Sequence, residues 1–259
     1  MRRYLVHRVD RLDAEGREAL LDRIYPVLCE SNGGGVTRDA LRAYVFAPSV
    51  RRRLCEVVDP EGKTVAFSTF SLRFVQVDGE TIGLYRAAGF ATSGVGFNPY
   101  MARLALRTWL SDRLRWPGRR LVTVGHIVQP LPYLFFRRYL PRMYPIEGVQ
   151  TPADIARVRD VALEVFDEQV VRAPWIVRAY VPQGRPVRLL GSNPIVAEFN
   201  RLNPDWRDGE ALVFVLPMTL PNMAHGAGQM VLDLWKRWRH ERQARRRREV
   251  RRKPQCQDV

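Results

Sequence analysis

The sequence has few cysteines and no long apolar run. Its three cysteines, Cys29, Cys55 and Cys256, are odd in number and lack metal-like spacing, which argues against a disulfide framework or a zinc site and favours reduced thiols. No apolar stretch approaches the ~20 residues that a membrane-spanning helix needs. Residues 1–10 also lack the uninterrupted apolar core of a signal peptide. We therefore predict a cytoplasmic protein without a metal cofactor.

The chain does have enough apolar material for a core, and it carries a large excess of basic residues. With 259 residues, of which 46% are hydrophobic, it can form one large globular domain or one and a half. The formal net charge is +15, but segment 236–253 alone holds eleven Lys and Arg against two Glu. The rest of the chain is therefore only moderately basic.

An apolar stripe immediately precedes this basic segment. Its residues lie at helical spacing and predict an amphipathic helix that leads into a basic tail, together forming segment 224–259. The residues of the stripe are Val231, Leu234, Trp235 and Trp238. This segment is compatible with an anionic membrane surface, nucleic acid, an acidic partner protein or solvent alone. Because tryptophans flank the basic run, we favour the inner, anionic face of a membrane as the partner of 231–253, ahead of nucleic acid.

Periodicity predicts a regular order of elements along the first part of the chain. A strand at 3–9 precedes two helices, one over 13–30 and one capped by Thr37. Three strands follow at 53–58, 64–77 and 81–92, and Asp78-Gly79 between the last two is a strong hairpin signal. After them come a helix over 98–116, a buried strand over 121–128 and an aromatic helix over 129–140.

A glycine-spaced turn joins the third of those strands to the helix after it. Gly94 and Gly96 let a ligand approach the main chain closely, and a helix that opens at about Asn98 presents free N–H groups and the positive end of its dipole. This combination predicts a phosphate site. A tight strand-to-helix connection without a ligand is the alternative.

This order of elements resembles the GNAT superfamily of N-acyltransferases, in which the fourth strand leads into a pyrophosphate loop of pattern Gln/Arg-x-x-Gly-x-Gly/Ala. The matching hexad here is 91–96: both glycines match, but Ala91 replaces the Gln or Arg. The resemblance covers about residues 1–145. It implies an α+β fold with a mixed, mostly antiparallel central sheet flanked by helices, to which the basic C-terminal helix or tail is added.

The resemblance also implies an acyl-coenzyme A donor. Loop amides and the following helix start would bind its pyrophosphate, and backbone N–H groups at the end of the fourth strand would contact the donor and the oxyanion. The implied donor-binding residues are Phe90, Ala91, Thr92, Ser93, Gly94, Val95, Gly96, Phe97 and Asn98.

Acyl transfer to an amine needs a proton acceptor and a proton for the leaving thiolate. His126, at the end of the buried strand, has an ordinary pKa near 6.5 that suits the base, although a core histidine held by a hydrogen bond is the alternative. The family often uses a tyrosine as the acid. The usual spacing places that tyrosine at Phe136, which cannot donate a proton, so Tyr133, one turn earlier, is the candidate, with a core aromatic as the alternative.

We therefore predict one acyltransferase domain over 1–223, with 150–210 as an insertion or C-terminal elaboration and 211–217 as its last strand. Its donor is acyl-coenzyme A or an acyl carrier protein, and its acceptor is the amine of a small molecule or peptide. The alternative is a noncatalytic module of the same fold that acts through its basic tail at an anionic membrane or on nucleic acid. The two glycines favour the enzyme; Ala91 and Phe136 favour the alternative.

Overall fold

A computed structural model of the protein describes residues 2–32, 35–92, 99–172, 174–179 and 193–252. Its strands are β1 (Arg3–Arg8), β2 (Arg51–Val58), β3 (Thr64–Val77), β4 (Glu80–Ala91), β5 (Arg120–Ile127), β6 (Val170–Arg172), β7 (Ile176–Arg178) and β8 (Glu210–Pro217). Its helices are α1 (Ala14–Asn32), α2 (Arg38–Phe46), α3 (Pro99–Arg115), α4 (Pro130–Tyr139), α5 (Ala153–Val165), α6 (Pro194–Leu202) and α7 (Leu220–Arg252). Two short 3₁₀ helices lie at Val9–Arg11 and Trp206–Asp208.

All eight strands belong to one sheet, in the order β1-β2-β3-β4-β5-β8-β7-β6. Neighbouring strands are antiparallel except for β4 and β5, which are parallel and are connected through α3. The α+β class with a mostly antiparallel, helix-flanked sheet is therefore confirmed. The sequence did not predict β6 and β7, which extend the sheet beyond β8.

Local signals explain the first half of the sheet. Asp78 and Gly79 adopt φ angles of 50° and 81°, so the two-residue turn joins β3 to β4 in a continuous register from Val77↔Glu80 to Ala66↔Ala91. Thr37 caps α2 as predicted, because its Oγ1 accepts a hydrogen bond from the Ala40 N–H at 3.1 Å. These local contacts fix where the long strands and the first helices begin.

Helices cover both faces of the sheet, and the alternation of side chains along β4 separates the two faces. Leu84 packs into a cluster with Val158 of α5, whereas Tyr85 packs into a different cluster with Trp109 of α3. Helices α1 and α2 cover the strands on the Leu84 side, where Leu54 and Phe67 lie. Helices α4 and α6 pack on the Tyr85 side, next to β8.

The parallel pair β4 and β5 separates part way along. Pairing runs from Ile82↔Arg120 to Arg86↔Val124 and then stops. Beyond that point residues 87–91 pair only with β3, and residues 125–127 pair only with β8. A gap therefore opens in the middle of the sheet, towards the C-terminal ends of both strands.

Candidate functional site

The gap between β4 and β5 exposes strand backbone within a folded sheet. Residues 87, 88, 90 and 91 are partly accessible to solvent and Gly89 is exposed. Within the described residues, this length of β4 has no strand partner on the β5 side. An extended ligand with its own amide groups can pair with such an edge.

One residue of β5 marks the point where the strands part. A Cβ on Gly125 would lie 2.8 Å from Cε1 of Phe214 and 3.5 Å from the carbonyl oxygen of Ala87. Phe136 packs against the same Phe214 ring, with 5.0 Å between ring centroids. Phe136, at which the resemblance would imply a tyrosine, therefore packs on the face covered by α4, against the ring of the residue that pairs with Gly125.

The residues on either side of segment 93–98 are described, and those that precede it lie at the gap. Phe90 and Ala91 are the last residues of β4, and Thr92 bonds to the carbonyl oxygen of Val65 through its N–H at 2.9 Å and its hydroxyl at 3.2 Å. Helix α3 begins at Pro99. Six of the predicted donor-binding residues lie outside the described residues: Ser93, Gly94, Val95, Gly96, Phe97 and Asn98.

Three ionisable side chains meet on the other face, where β4 and β5 part. Arg86 is the last paired residue of β4, and His126 follows the pairing on β5. Glu168 comes from the turn after α5; its Oε1 accepts a hydrogen bond from Arg86 Nη2 at 2.5 Å and lies 3.3 Å from His126 Nε2. The structure thus gives the predicted His126 a carboxylate neighbour, Glu168, that we did not predict.

Two aromatic rings enclose the arginine of this cluster. The guanidinium carbon of Arg86 lies 5.0 Å from the centroid of the Tyr44 ring and 4.8 Å from that of Phe166. The Tyr44 hydroxyl in turn bonds to Thr69 Oγ1 at 3.1 Å. Because α2 supplies one ring and the residue directly after α5 supplies the other, the Arg86 guanidinium is held between these rings, where it binds Glu168.

Burial changes the proton affinity of this cluster. It lowers the pKa of His126 to about 3, and the Arg86 guanidinium adds to that effect, so the imidazole is neutral at pH 7. Burial raises the pKa of Glu168, against the opposing effect of Arg86, and Asp167 adds to the rise. The pKa of the Glu168 carboxylate therefore moves towards neutrality. The pKa of the His126 imidazole instead lies well below the value near 6.5 that we expected for it.

Tyr133 lies on the opposite face and is fully buried. Its hydroxyl donates a hydrogen bond to Glu198 Oε1 at 2.7 Å, and its ring lies 5.4 Å from that of Phe199. Burial, together with the Glu198 hydrogen bond, raises the pKa of Tyr133 above its ordinary value. The structure does not bring Tyr133 into contact with His126, and the catalytic roles of both residues remain predictions.

The described part of the chain holds two free cysteines, of which Cys55 is buried. Within those same ranges, no group of three or more His, Cys, Asp or Glu side chains is placed to hold a metal ion. No helix among the described residues is long and apolar enough to cross a membrane.

No protein-family model matches this chain, and no curated protein matches it significantly. Among solved structures it is similar to an acyl-CoA N-acyltransferase from Pseudomonas aeruginosa, with 12% identity, a TM-score of 0.37, and coverage of 60% of this chain and 94% of that one. A putative phosphinothricin N-acetyltransferase is 11% identical with a TM-score of 0.32, covering 84% of this chain and 99% of that one. A GCN5-related N-acetyltransferase from Sphaerobacter thermophilus is 12% identical with a TM-score of 0.37, covering 58% of this chain and 49% of that one.

At such identities these similarities concern the fold alone. Among the described residues, the order of elements is the one expected from the resemblance: three antiparallel strands, a helix and a further strand, which the structure pairs in parallel with β4. The α+β arrangement that the resemblance implied is therefore confirmed by the structure itself.

Proposed function

We propose that the protein is an acyltransferase that moves an acyl group from acyl-coenzyme A to an amine. The observation that carries this proposal is the gap between β4 and β5, with Arg86, Glu168 and His126 beside it. In the sequence, the glycine-spaced segment 91–96 begins at the last residue of β4 and precedes α3. An acyl carrier protein, which presents the same pantetheine arm, is the alternative donor.

The gap suits a ligand of the donor's shape. The pantetheine arm is extended and carries two amide groups, which can pair with the free edge of β4 over 87–91. In this proposal the pyrophosphate lies at the amides of 93–97 and at the start of α3, where N–H groups and the helix dipole favour an anion. The thioester then lies near Phe90, where backbone N–H groups can stabilise the oxyanion.

The chemistry requires an uncharged amine. Of the two protons that the ammonium form loses, one goes to solvent and one to Glu168, whose buried carboxylate lies between Arg86 and His126. The nitrogen attacks the thioester carbon, the N–C bond forms and the C–S bond breaks. The departing thiolate takes up one proton from solvent and Glu168 returns its proton to solvent, so that one proton is released overall. His126, as a neutral imidazole next to the Glu168 oxygen, has a positioning role in this scheme.

Calorimetric titration with acetyl-, long-chain acyl- and desulfo-coenzyme A tests the proposal. We expect binding to the full-length chain, loss of affinity in Gly94→Val and Gly96→Val, and no loss in Gly118→Ala, where a Cβ meets nothing within 4 Å. Absence of binding of all three compounds at low salt would overturn the enzyme proposal. Unchanged affinity in both valine variants would place the pyrophosphate elsewhere.

A second candidate function, of a different class, rests on α7. Asp233 ties this helix to α4 through Arg138 at 2.9 Å and Tyr139 at 2.7 Å. Beyond Asp233 the helix continues for nineteen residues to Arg252, about 28 Å at 1.5 Å per residue. Among the described large apolar side chains of α7, those at least half exposed are Leu220, Val231, Leu234, Trp235 and Trp238.

Apolar and basic side chains thus occupy one exposed helix, the pattern of a helix that lies in the interface of an anionic bilayer. In this candidate function α7 holds the protein at the inner face of a membrane. Vesicles with and without phosphatidylserine test it: a chain ending at Asp233 should lose sedimentation with anionic vesicles and keep its affinity for acyl-coenzyme A. Equal sedimentation of the truncated chain would refute it, and tighter binding to duplex DNA than to vesicles would favour nucleic acid.

A further inference from the structure

Three arginines on neighbouring strands lie on the face of the sheet that α2 and α5 cover. Arg52 of β2 is opposite Ser71, and Ser71 is opposite Arg86 of β4; Arg73 follows Ser71 by two residues, so its side chain projects from the same face. With neighbouring strands about 4.8 Å apart, the Cα atoms of Arg52 and Arg86 are roughly 10 Å from each other. We call these three residues the arginine triangle.

Contacts with the covering helices place all three side chains on that face. Arg52 Nη1 donates to the carbonyl oxygen of Tyr44 at 2.6 Å, and Arg73 Nη1 donates to that of Val165 at 3.4 Å. Both acceptors lie in the last turns of their helices, where the dipole is negative. These carbonyl groups compensate only part of a unit charge.

Negative charge is scarce around the triangle. Glu168 binds Arg86, whereas Arg52 and Arg73 have no carboxylate partner within the part of the chain that the structure describes. Arg52 is only 6% exposed, and its buried Nε has no hydrogen-bond partner there. Burial lowers the pKa of Arg52 to about 10, and repulsion by Arg73 and Arg86 contributes to the shift. Among the described residues, only one of the three guanidinium groups therefore has a carboxylate partner.

The triangle adjoins the gap in the sheet. Arg86 stands where β4 and β5 part, and both Arg86 and Arg73 are partly accessible to solvent. The rings of Tyr44 and Phe166 flank the Arg86 guanidinium, and Arg73 also lies over Phe166 at 5.8 Å. A planar oxyanion at this position would meet two guanidinium groups that aromatic rings hold in place.

We propose that the acceptor carries an oxyanionic group, a carboxylate or a phosphate monoester, that binds at the arginine triangle while its amine faces Glu168. This inference deepens the proposed acyl transfer and rests on it. It assigns Arg73 and Arg52 to acceptor recognition, and it predicts that a neutral amine of the same shape is a poor acceptor. Charge-assisted hydrogen bonds of this kind correspond to roughly 10- to 100-fold in kcat/KM.

Matched acceptor pairs test the proposal through the release of coenzyme A thiol. One arm compares amino acids with their amides, such as phenylalanine with phenylalaninamide, and the other compares phosphoethanolamine with ethanolamine. We expect the anionic member of at least one pair to be preferred 10- to 100-fold, and the preferred pair identifies the oxyanion. In Arg73→Gln the ratio of kcat/KM for the anionic acceptor to kcat/KM for the neutral one should fall towards one. The preference for the anionic acceptor should persist in the control Arg157→Gln, because Arg157 is a surface residue of α5 that binds Asp78.

Equal kcat/KM for the charged and neutral members of both pairs would overturn the proposal while leaving acyl transfer intact. If no amine accepts an acyl group, acyl transfer itself fails, and a binding experiment still tests the anion site. Inorganic phosphate at ten times its Kd should raise the melting temperature by roughly 3 °C over sodium chloride of equal ionic strength, and Arg52→Gln or Arg73→Gln should abolish the rise. No rise in the unmodified protein would refute the anion site.

Discussion

Glu56 is the buried charge on which the first half of the sheet most depends. It is 0% exposed, and its carboxylate accepts hydrogen bonds from His7 Nε2 at 2.8 Å, Arg23 Nε at 2.8 Å and the Thr64 hydroxyl at 2.5 Å. These donors come from β1, α1 and the start of β3, and Glu56 itself lies in β2. Replacement by Gln keeps the shape but removes the negative charge that four elements share.

The pKa of Glu56 sets the size of the effect. Burial alone would raise this pKa, but the hydrogen bonds from His7, Arg23 and Thr64 outweigh burial and lower it from 4.5 to about 2. A difference of about 2.5 units at 1.36 kcal/mol per unit gives about 3 kcal/mol of stability at neutral pH. Because the folded pKa is the lower one, this contribution is complete well above pH 4.5 and is lost as the pH falls from 4.5 towards 2.

Urea denaturation of wild type and Glu56→Gln measures this directly. We expect the variant to be about 3 kcal/mol less stable at pH 7, and the difference to shrink by about 2 kcal/mol at pH 3, where the wild-type carboxylate begins to protonate. Glu147→Gln is the control, because Glu147 binds Arg201 at the surface and should contribute little. A difference that stays constant between pH 7 and pH 3 would refute the reasoning, since it would then come from packing and not from charge.

Three further substitutions test the gap and its neighbours. Gly125→Ala should lower the free energy of unfolding by about 1–3 kcal/mol, because the new Cβ would lie 2.8 Å from Phe214, and urea denaturation with Gly118→Ala as control checks it. Glu168→Gln should reduce kcat by 10²-fold or more. In wild type, kcat/KM should fall as the pH decreases through the raised pKa of Glu168. His126→Gln should leave this pH profile in place. Tyr133→Phe should cost about 1–2 kcal/mol of stability, because Glu198 loses a hydrogen-bond donor, and it should leave kcat unchanged. A 10²-fold loss of kcat at full stability would instead support Tyr133 as the acid.

The long elements were predictable because their signals are local. Alternation and the Asp78-Gly79 turn give β3 and β4, and the Thr37 cap gives the start of α2. Strands β6 and β7 have three residues each, too few for a period to emerge, and they become strands because β8 offers a free edge. Their pairing is a property of the folded sheet and not of their own sequences.

The site was predictable only in part. His126 lies near the end of β5, as the sequence predicted, but its pKa depends on burial and on Arg86, neither of which periodicity reveals. Arg86 had one usable signal, a charge inside an otherwise apolar strand. Glu168 had none, because it is more than forty positions from His126 and joins it only when α5 packs across β4 and β5.

The gap itself follows from how the two strands are held. Each strand retains a full antiparallel neighbour, β3 for β4 and β8 for β5. Their separation therefore removes backbone hydrogen bonds on one side of each strand only. The free edge over 87–91 is partly accessible, and water can satisfy its N–H and C=O groups without the penalty of burial. A ligand with amides of its own replaces that water by equivalent hydrogen bonds and buries apolar surface as well. Under the proposed function, the pairing lost between β4 and β5 becomes binding capacity for an extended donor, beside the carboxylate of Glu168.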